Sequence, residues 1–383
     1  MKSFKNIGVI GAGSMGIGIA QVASTAGCNI FLFDQNKSVR EQSIKKLEKV
    51  LVRLIEKGKL NIVEKNSILK NITIVDSLES MKDSDLIIEA IVENSTIKKE
   101  LFSNMESIVS NDCVLATNTS SISITSLASS LKNPSRFIGI HFFNPAPVMP
   151  LVEIIPALQT KKYLVKEIHQ LLINWNKKPV VAKDTPGFIV NRIARPFYSE
   201  ALRIYEEQIA DFVTIDFAMK HIGGFKMGPF ELMDFIGNDV NYAVTESVFK
   251  AFYYDPRYKP SFTQKQYADA GWHGRKSNKG YYDYSDGIEL DLPSKEEKLL
   301  VEIFERILVM LINEAMDALY LGIASEEDIE LAMIRGVNYP KGLINWGKEK
   351  SFSWVVSKID ALYEIYHEDR YRCSPLLRIK ASL

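Results

Sequence analysis

The chain has little cysteine, no long apolar run and no excess of either charge. Cys28, Cys113 and Cys373 are the only cysteines in 383 residues, with no CxxC pair and no metal-ligand spacing. That argues against a disulfide framework and against a cysteine-bound metal; no metal is expected, and the thiols suit a reducing compartment. No apolar stretch approaches the ~20 residues needed to cross a bilayer. The first residues run into a strand pattern without the charged-then-apolar opening of a secretory signal. The expected location is cytoplasmic, with no membrane partner. Basic and acidic residues number 47 each, so the chain offers no general attraction for a polyanion, and nucleic acid is not expected as a partner.

What is present suits a soluble globular protein of two or three domains, with 46% hydrophobic and 25% charged residues. Residues 1–183 alternate between strand and helix patterns. Strands are expected at 5–10, 29–33, 86–90, 114–117, 137–141 and 152–155, with helices between most of them, which predicts an α/β, doubly wound, mostly parallel sheet. The stretch from 37 to about 69 is too long for one crossover helix. It reads as a projecting helical hairpin, rich in lysine at Lys45, Lys46, Lys49, Lys57 and Lys59; a solvated helix face is the plainer explanation of those charges. Residues 184–290 and 291–383 read as helical, with one long helix over 189–208. The later segment partly repeats the earlier. Glu200-Ala201, Ile209-Ala210, Ile215 and Ala218-Met219 have counterparts 114 residues on, in Glu314-Ala315, Ile323-Ala324, Ile329 and Ala332-Met333, and Asp216 has an acidic counterpart nearby in Asp328. Two tandem all-α domains of one ancestry are expected.

Gly11-Ala12-Gly13-Ser14-Met15-Gly16 follows an apolar strand and opens a helical run. Gly11 permits the tight turn, Gly13 lets a pyrophosphate approach the backbone, and Gly16 lets helix and strand pack closely. The helix N-terminus turns free N–H groups and a positive dipole end toward the phosphates. Asp34 ends the second strand, 18 residues after Gly16. An acid there accepts bonds from a ribose hydroxyl and repels a 2′-phosphate, so NAD is favoured over NADP, although Lys37 stands close by.

His141 lies at the carboxyl end of an apolar strand, before the Phe142-Phe143-Asn144-Pro145 turn, where open α/β sheets bind ligands. Glu153 sits in the apolar strand Leu151-Val152-Glu153-Ile154-Ile155. A carboxylate there is costly unless paired, and an imidazole is a natural partner; an edge position facing water is the alternative. One histidine near neutral pKa can take a hydroxyl proton during oxidation and return it during reduction. Ser120, after the strand Val114-Leu115-Ala116, could bond a substrate oxygen or simply cap a helix. Asn191, in an apolar helix, needs a partner, either a carbonyl of the substrate or a backbone group.

Taken together, GAGSMG, IIEAIVEN, NTSS, HFFNPAPVMPLVE, DTPGFIVNR, MGPFELMD and GRKSNKGYYDY occur in order over residues 4–284, and the chain resembles the 3-hydroxyacyl-CoA dehydrogenase family. The resemblance implies an amino-terminal Rossmann domain with a helical hairpin, then a helical domain. It implies His141 as general base, Glu153 as its orienting carboxylate, Ser120 on the reacting oxygen and Asn191 at the substrate. NAD would lie over residues 11–16 (Gly11, Ala12, Gly13, Ser14, Met15 and Gly16), with Asp34 on its ribose and Glu93, Lys98, Ser120, Asn144 and Lys276 as further contacts. Lys57 would meet the CoA phosphates. The implied reaction is NAD-dependent interconversion of a (3S)-3-hydroxyacyl-CoA, such as 3-hydroxybutyryl-CoA, and its ketone. The short form of the family ends after a GYYDY-like string and dimerises through its helical domain. Here a second helical copy follows, so a homodimer and a monomer with an internal pseudo-dimer both stay open. Two other functions fit the same frame: a dehydrogenase of a CoA-free hydroxy or sugar acid, and a non-catalytic NAD-binding or structural protein.

Overall fold

The alternating patterns resolve, in a computed structural model describing residues 4–288 and 291–383, into strands β1 (Asn6–Ile10), β2 (Asn29–Phe33), β3 (Ile72–Ile74), β4 (Leu86–Glu89), β5 (Val114–Thr117), β6 (Phe137–Phe142), β7 (Leu151–Pro156) and β8 (Lys178–Val181). Their order across the sheet is β3-β2-β1-β4-β5-β6-β7-β8. All neighbours pair parallel except β6 and β7. Strands β4, β5 and β6 are buried at every residue, as a parallel sheet covered by helices on both faces requires, and so they read as unbroken apolar runs. After β1 the chain crosses to β2 on one side and later returns to β4 on the other. That switch of direction opens a crevice at the carboxyl ends of β1 and β4. Helices α1 (Ser14–Thr25), α2 (Lys37–Glu56), α3 (Ile62–Lys70), α4 (Ser95–Ile108), α5 (Ile124–Ala128) and α6 (Lys162–Asn174) complete this unit, which runs from Met1 to Thr185. Helices α2 and α3 form the expected hairpin, with Asn61 starting α3 through a capping box with Glu64.

Asp184 closes the first unit. Its carboxylate accepts the Ile124 and Thr125 N–H groups and the Ser123 hydroxyl at 3.0, 2.7 and 2.9 Å, fixing the start of α5.

The second unit, Pro186–Leu383, is helical. It contains α7 (Val190–Ile193), α8 (Arg195–Glu206), α9 (Phe212–His221), α10 (Pro229–Ile236), α11 (Asn238–Ala251), α12 (Phe262–Asp269), α13 (Glu297–Tyr320), α14 (Glu326–Gly336), α15 (Leu343–Lys350), α16 (Phe352–Tyr366) and α17 (Pro375–Ala381). The single helix expected over 189–208 is broken at Ala194, before Pro196, whose missing N–H suits the first turn of α8. The expected boundary at Leu290 lies outside the described residues. Helices α8 to α11 correspond in order to α13 to α16. In each copy an acid on the second of these helices caps the third: Asp216 accepts from Phe230 and Glu231 N–H, and Glu330 from Ile344 and Asn345 N–H.

The copies also exchange side chains. Glu314 of α13 is fully buried and accepts from Arg192 at 2.7 Å, Arg257 at 3.1 Å and the Tyr258 hydroxyl at 2.5 Å. Its counterpart Glu200 of α8 accepts from Arg306 and Tyr371 of the later copy at 3.1 and 3.0 Å, and from Arg203 at 2.6 Å. Burial alone would push both carboxyls up. The surrounding arginines, aided by the Tyr258 and Tyr371 hydroxyls, outweigh it and hold both below the ordinary carboxylate range.

Candidate active site

The glycine loop is built as its spacing demands. Gly11 has φ +102°, and a Cβ there would lie 2.4 Å from the Ala90 carbonyl oxygen. A Cβ on Gly16 would lie 1.7 Å from the Gly11 carbonyl oxygen, so nothing larger fits between loop and helix. Around Gly13 the opposite holds: a Cβ would meet nothing within 4 Å. Gly13 is the N-cap of α1 and supplies no side-chain cap, so the first N–H groups of the helix face open space beside exposed Ser14. Asp34 stands at the end of β2 and accepts from Ala12 N–H at 2.8 Å and Asn36 N–H at 2.9 Å. An open, uncapped helix start beside a ribose-range carboxylate fits NAD. Lys37 is directed to Glu41, 4.0 Å away on the exposed face of α2. Arg40, which the sequence did not single out, is buried, holds the Asp34 carbonyl and pairs with Asp76 at 3.0 Å.

The antiparallel register of β6 and β7 sets His141 directly opposite Glu153. The His141 Nδ1 lies 2.6 Å from Glu153 Oε2, and both residues are buried. An Nδ1–H donated to the carboxylate leaves the basic lone pair on Nε2 and stabilises the ring when it is protonated. Phe143 packs on the imidazole with ring centroids 4.5 Å apart. Asn118 accepts the Phe142 N–H at 2.8 Å, tying the end of β5 to the end of β6. Asn144 is exposed in the turn that follows, at a cis bond to Pro145.

A second ionic group gathers at the ends of β4 and β5. Glu93 accepts from the Thr119 hydroxyl at 2.5 Å, the Ser120 N–H at 3.0 Å and the Ser121 hydroxyl at 2.9 Å, and the Ser120 hydroxyl is 3.4 Å away. Lys98 Nζ is 3.3 Å from Glu93 and 2.5 Å from Glu89. Burial raises the Glu93 pKa, but the Lys98 charge and the hydroxyl and N–H donors outweigh it and hold the carboxyl ionised, below its ordinary value. The structure thus brings Glu93, Lys98 and Ser120 together. Sequence reasoning missed Glu89, which is fully buried and also accepts from Thr117 and Ile91 at 2.7 Å each. The signal was there: a carboxylate ending an apolar strand, the same mark that singled out Glu153.

Sequence reasoning also missed Lys177. Its buried ammonium donates to the Ala146 and Met149 carbonyls at 2.5 and 2.9 Å, pinning the loop that joins His141 to β7. With no carboxylate beside it among the described residues, burial pushes its pKa down to about 8. Lys57 is exposed at the end of α2. In the second unit, Asn191 is half-buried and its carbonyl accepts from Arg195 at 2.9 Å. Lys276 there pairs with Asp239 at 2.5 Å. Among the described residues no cluster of acids, cysteines and histidines suited to a metal occurs, and no helix is long and apolar enough to cross a membrane.

Comparison with known proteins agrees with this geometry. The NAD binding domain of 3-hydroxyacyl-CoA dehydrogenase matches residues 6–185, and the C-terminal domain of the same enzyme matches 187–284 and 303–382. The 3-hydroxyadipyl-CoA dehydrogenase of Escherichia coli is 36% identical over 100% of this chain and 98% of its own length. A probable 3-hydroxybutyryl-CoA dehydrogenase of Bacillus subtilis is 40% identical over 74% of this chain and 98% of its own. The crystal structure of a 3-hydroxybutyryl-CoA dehydrogenase from Escherichia coli superposes with a TM-score of 0.94 at 34% identity, covering 100% of this chain and 99% of that one. The chain belongs to the 3-hydroxyacyl-CoA dehydrogenase family and is an NAD-dependent oxidoreductase of 3-hydroxyacyl-CoA thioesters.

Proposed function

We propose that the chain interconverts a short-chain (3S)-3-hydroxyacyl-CoA and its 3-keto form, with His141 as the proton-transferring group. The observation that carries this reading is the buried 2.6 Å contact between His141 Nδ1 and Glu153, at the carboxyl end of β6. Glu153 holds the ring so that Nε2 takes the hydroxyl proton, and its charge offsets that of the imidazolium. Bound NAD supplies the hydride acceptor. Ser120 holds the reacting oxygen, and Asn191 assists at the thioester. Residues 11–16 and Asp34 hold the pyrophosphate and ribose; Glu93, Lys98, Asn144 and Lys276 complete the cofactor contacts. Lys57, on the exposed basic hairpin, meets the CoA phosphates. A group ready to donate where an oxyanion develops contributes about 2.7–4 kcal/mol in comparable sites.

The two helical copies act as separate tandem domains, 184–290 and 291–383, arranged as an internal pseudo-dimer. The reciprocal clasps on Glu200 and Glu314 support this, since each copy covers the buried acid of the other as two subunits would in an isologous interface. Cys28, Cys113 and Cys373 form no disulfide among the described residues, which suits a cytoplasmic setting.

The test follows NADH absorbance with acetoacetyl-CoA, with NADPH and a CoA-free 3-keto acid in parallel. Loss of NADH with the thioester alone is expected. Turnover of the CoA-free acid in preference to the thioester would contradict the substrate assignment.

A further inference from the structure

Buried arginines in this protein almost all meet a carboxylate. Arg40, Arg136, Arg192, Arg257 and Arg370 each lie within 4.0 Å of one. Arg195 does not. It is 5% exposed, at the first turn of α8, and no described carboxylate pairs with it. Its Nε donates to the Asn191 carbonyl at 2.9 Å and its Nη1 to the Thr245 hydroxyl at 3.0 Å. Thr245 is itself fixed, accepting from Gln264 at 3.1 Å and donating to the Asn241 carbonyl at 2.9 Å. Nη2 makes no hydrogen bond among the described residues. The guanidinium stacks over Tyr198 at 4.9 Å with the Tyr339 phenol also close, and burial keeps both phenols uncharged.

Two more donors around it lack acceptors. Among the described residues the Tyr339 hydroxyl is buried without a hydrogen-bond partner, and so is that of Ser199, one turn further along α8 on the Arg195 face. An orphaned buried donor is costly, and a buried cation without a counter-charge more so. Two buried hydroxyls with no acceptor among the described residues, beside one cation, describe half of an anion site.

We infer that Arg195, assisted by Tyr339, receives the terminal carboxylate of a dicarboxylic 3-hydroxyacyl-CoA, and so is a specificity-determining residue. The inference rests on the proposed role of Asn191 at the thioester. Arg195 follows Asn191 by four residues, across the break at Ala194, and its Nε is bonded to the Asn191 carbonyl, so the guanidinium stands within roughly 5 Å of the Asn191 backbone. An adipyl chain spans a comparable distance between its thioester and its far carboxylate. A bidentate guanidinium–carboxylate pair supplies both the missing counter-charge and the missing acceptors.

The experiment compares 3-hydroxyadipyl-CoA with 3-hydroxyhexanoyl-CoA, which has the same carbon chain without the second acid, by kcat/KM at saturating NAD. Wild type should favour the dicarboxylic thioester by at least about tenfold. Arg195→Met should abolish that preference, raising the KM of the adipyl thioester by far more than that of the hexanoyl thioester. Tyr339→Phe should weaken the preference in the same direction by less. Equal use of both thioesters by wild type overturns the inference alone, as does an equal proportional loss on both in Arg195→Met. Wild type inactive on either thioester overturns the underlying dehydrogenase reading as well. If Arg195→Met does not fold, Tyr339→Phe decides, and an unchanged preference in that variant overturns the inference.

Discussion

Buried charge is handled differently in the two units. In the helical unit Glu200 and Glu314 are each saturated by three donors drawn from arginine and tyrosine. Such groups hold copies together and have no capacity left for chemistry. At the carboxyl edge of the sheet, Glu153 fixes an imidazole whose second nitrogen is the proposed proton carrier, and Glu93 gathers a lysine and three hydroxyls on a partly exposed surface. The lesson is that burial of an ionisable group does not by itself mark function. What marks it is a group held in one geometry on one side, next to a crevice on the other.

The comparison can be broken or sharpened by substitution. The largest effect is expected at the sheet edge. His141→Ala should lower kcat by ~10²–10⁴ while the melting temperature stays close to wild type. Glu314→Ala should do the reverse, destabilising by about 3–5 kcal/mol because Arg192 and Arg257 lose their fully buried partner and are left to share Asp317. Glu200→Ala should cost a similar amount in chemical denaturation; a much smaller cost would break the symmetry between the copies. Glu153→Gln should reduce kcat on the order of 10²-fold, with a changed pH–rate profile, since the amide orients the ring but carries no charge. Asp34→Ala should weaken NAD by about 1.5–3 kcal/mol, roughly 10–100-fold in Kd by titration calorimetry, with less effect on the KM for the thioester.

The smallest effect concerns Lys177, a buried cation at the sheet edge that meets carbonyls rather than acids. Its folded-state pKa, about 8, lies below the usual lysine value of 10.5. The unfolded chain therefore holds more protons between these values, so this group adds stability as pH rises from about 8 to 10.5 and loses it as pH falls through 8. Melting curves over that range should show a rise in wild type that is absent in Lys177→Met.

Much of this was legible beforehand. Strands 29–33 and 114–117 were read with the ends they have, because each is an apolar run bounded by turn residues. The glycine loop and the His141–Glu153 pair followed from residue types placed where the chemistry needs them. Two strands were missed: β3 has three residues, too few to show periodicity, and β8 carries Lys178 and Pro179, which disguise it. The 114-residue repeat was visible, and Glu200 and Glu314 stood in it. Their exchange of arginines was not visible, because partners more than 100 residues apart leave no local pattern. Glu89 and Arg195 were missed for a related reason. Their meaning lies in what they meet or fail to meet, which only packing reveals.

The most direct test measures hydride transfer and NAD binding together in His141→Ala, using acetoacetyl-CoA and NADH under single-turnover conditions. The account predicts cofactor affinity near that of wild type, with transfer slowed by ~10²–10⁴. Transfer within a few-fold of wild type, with the cofactor still bound, would contradict the assignment of the proton to His141.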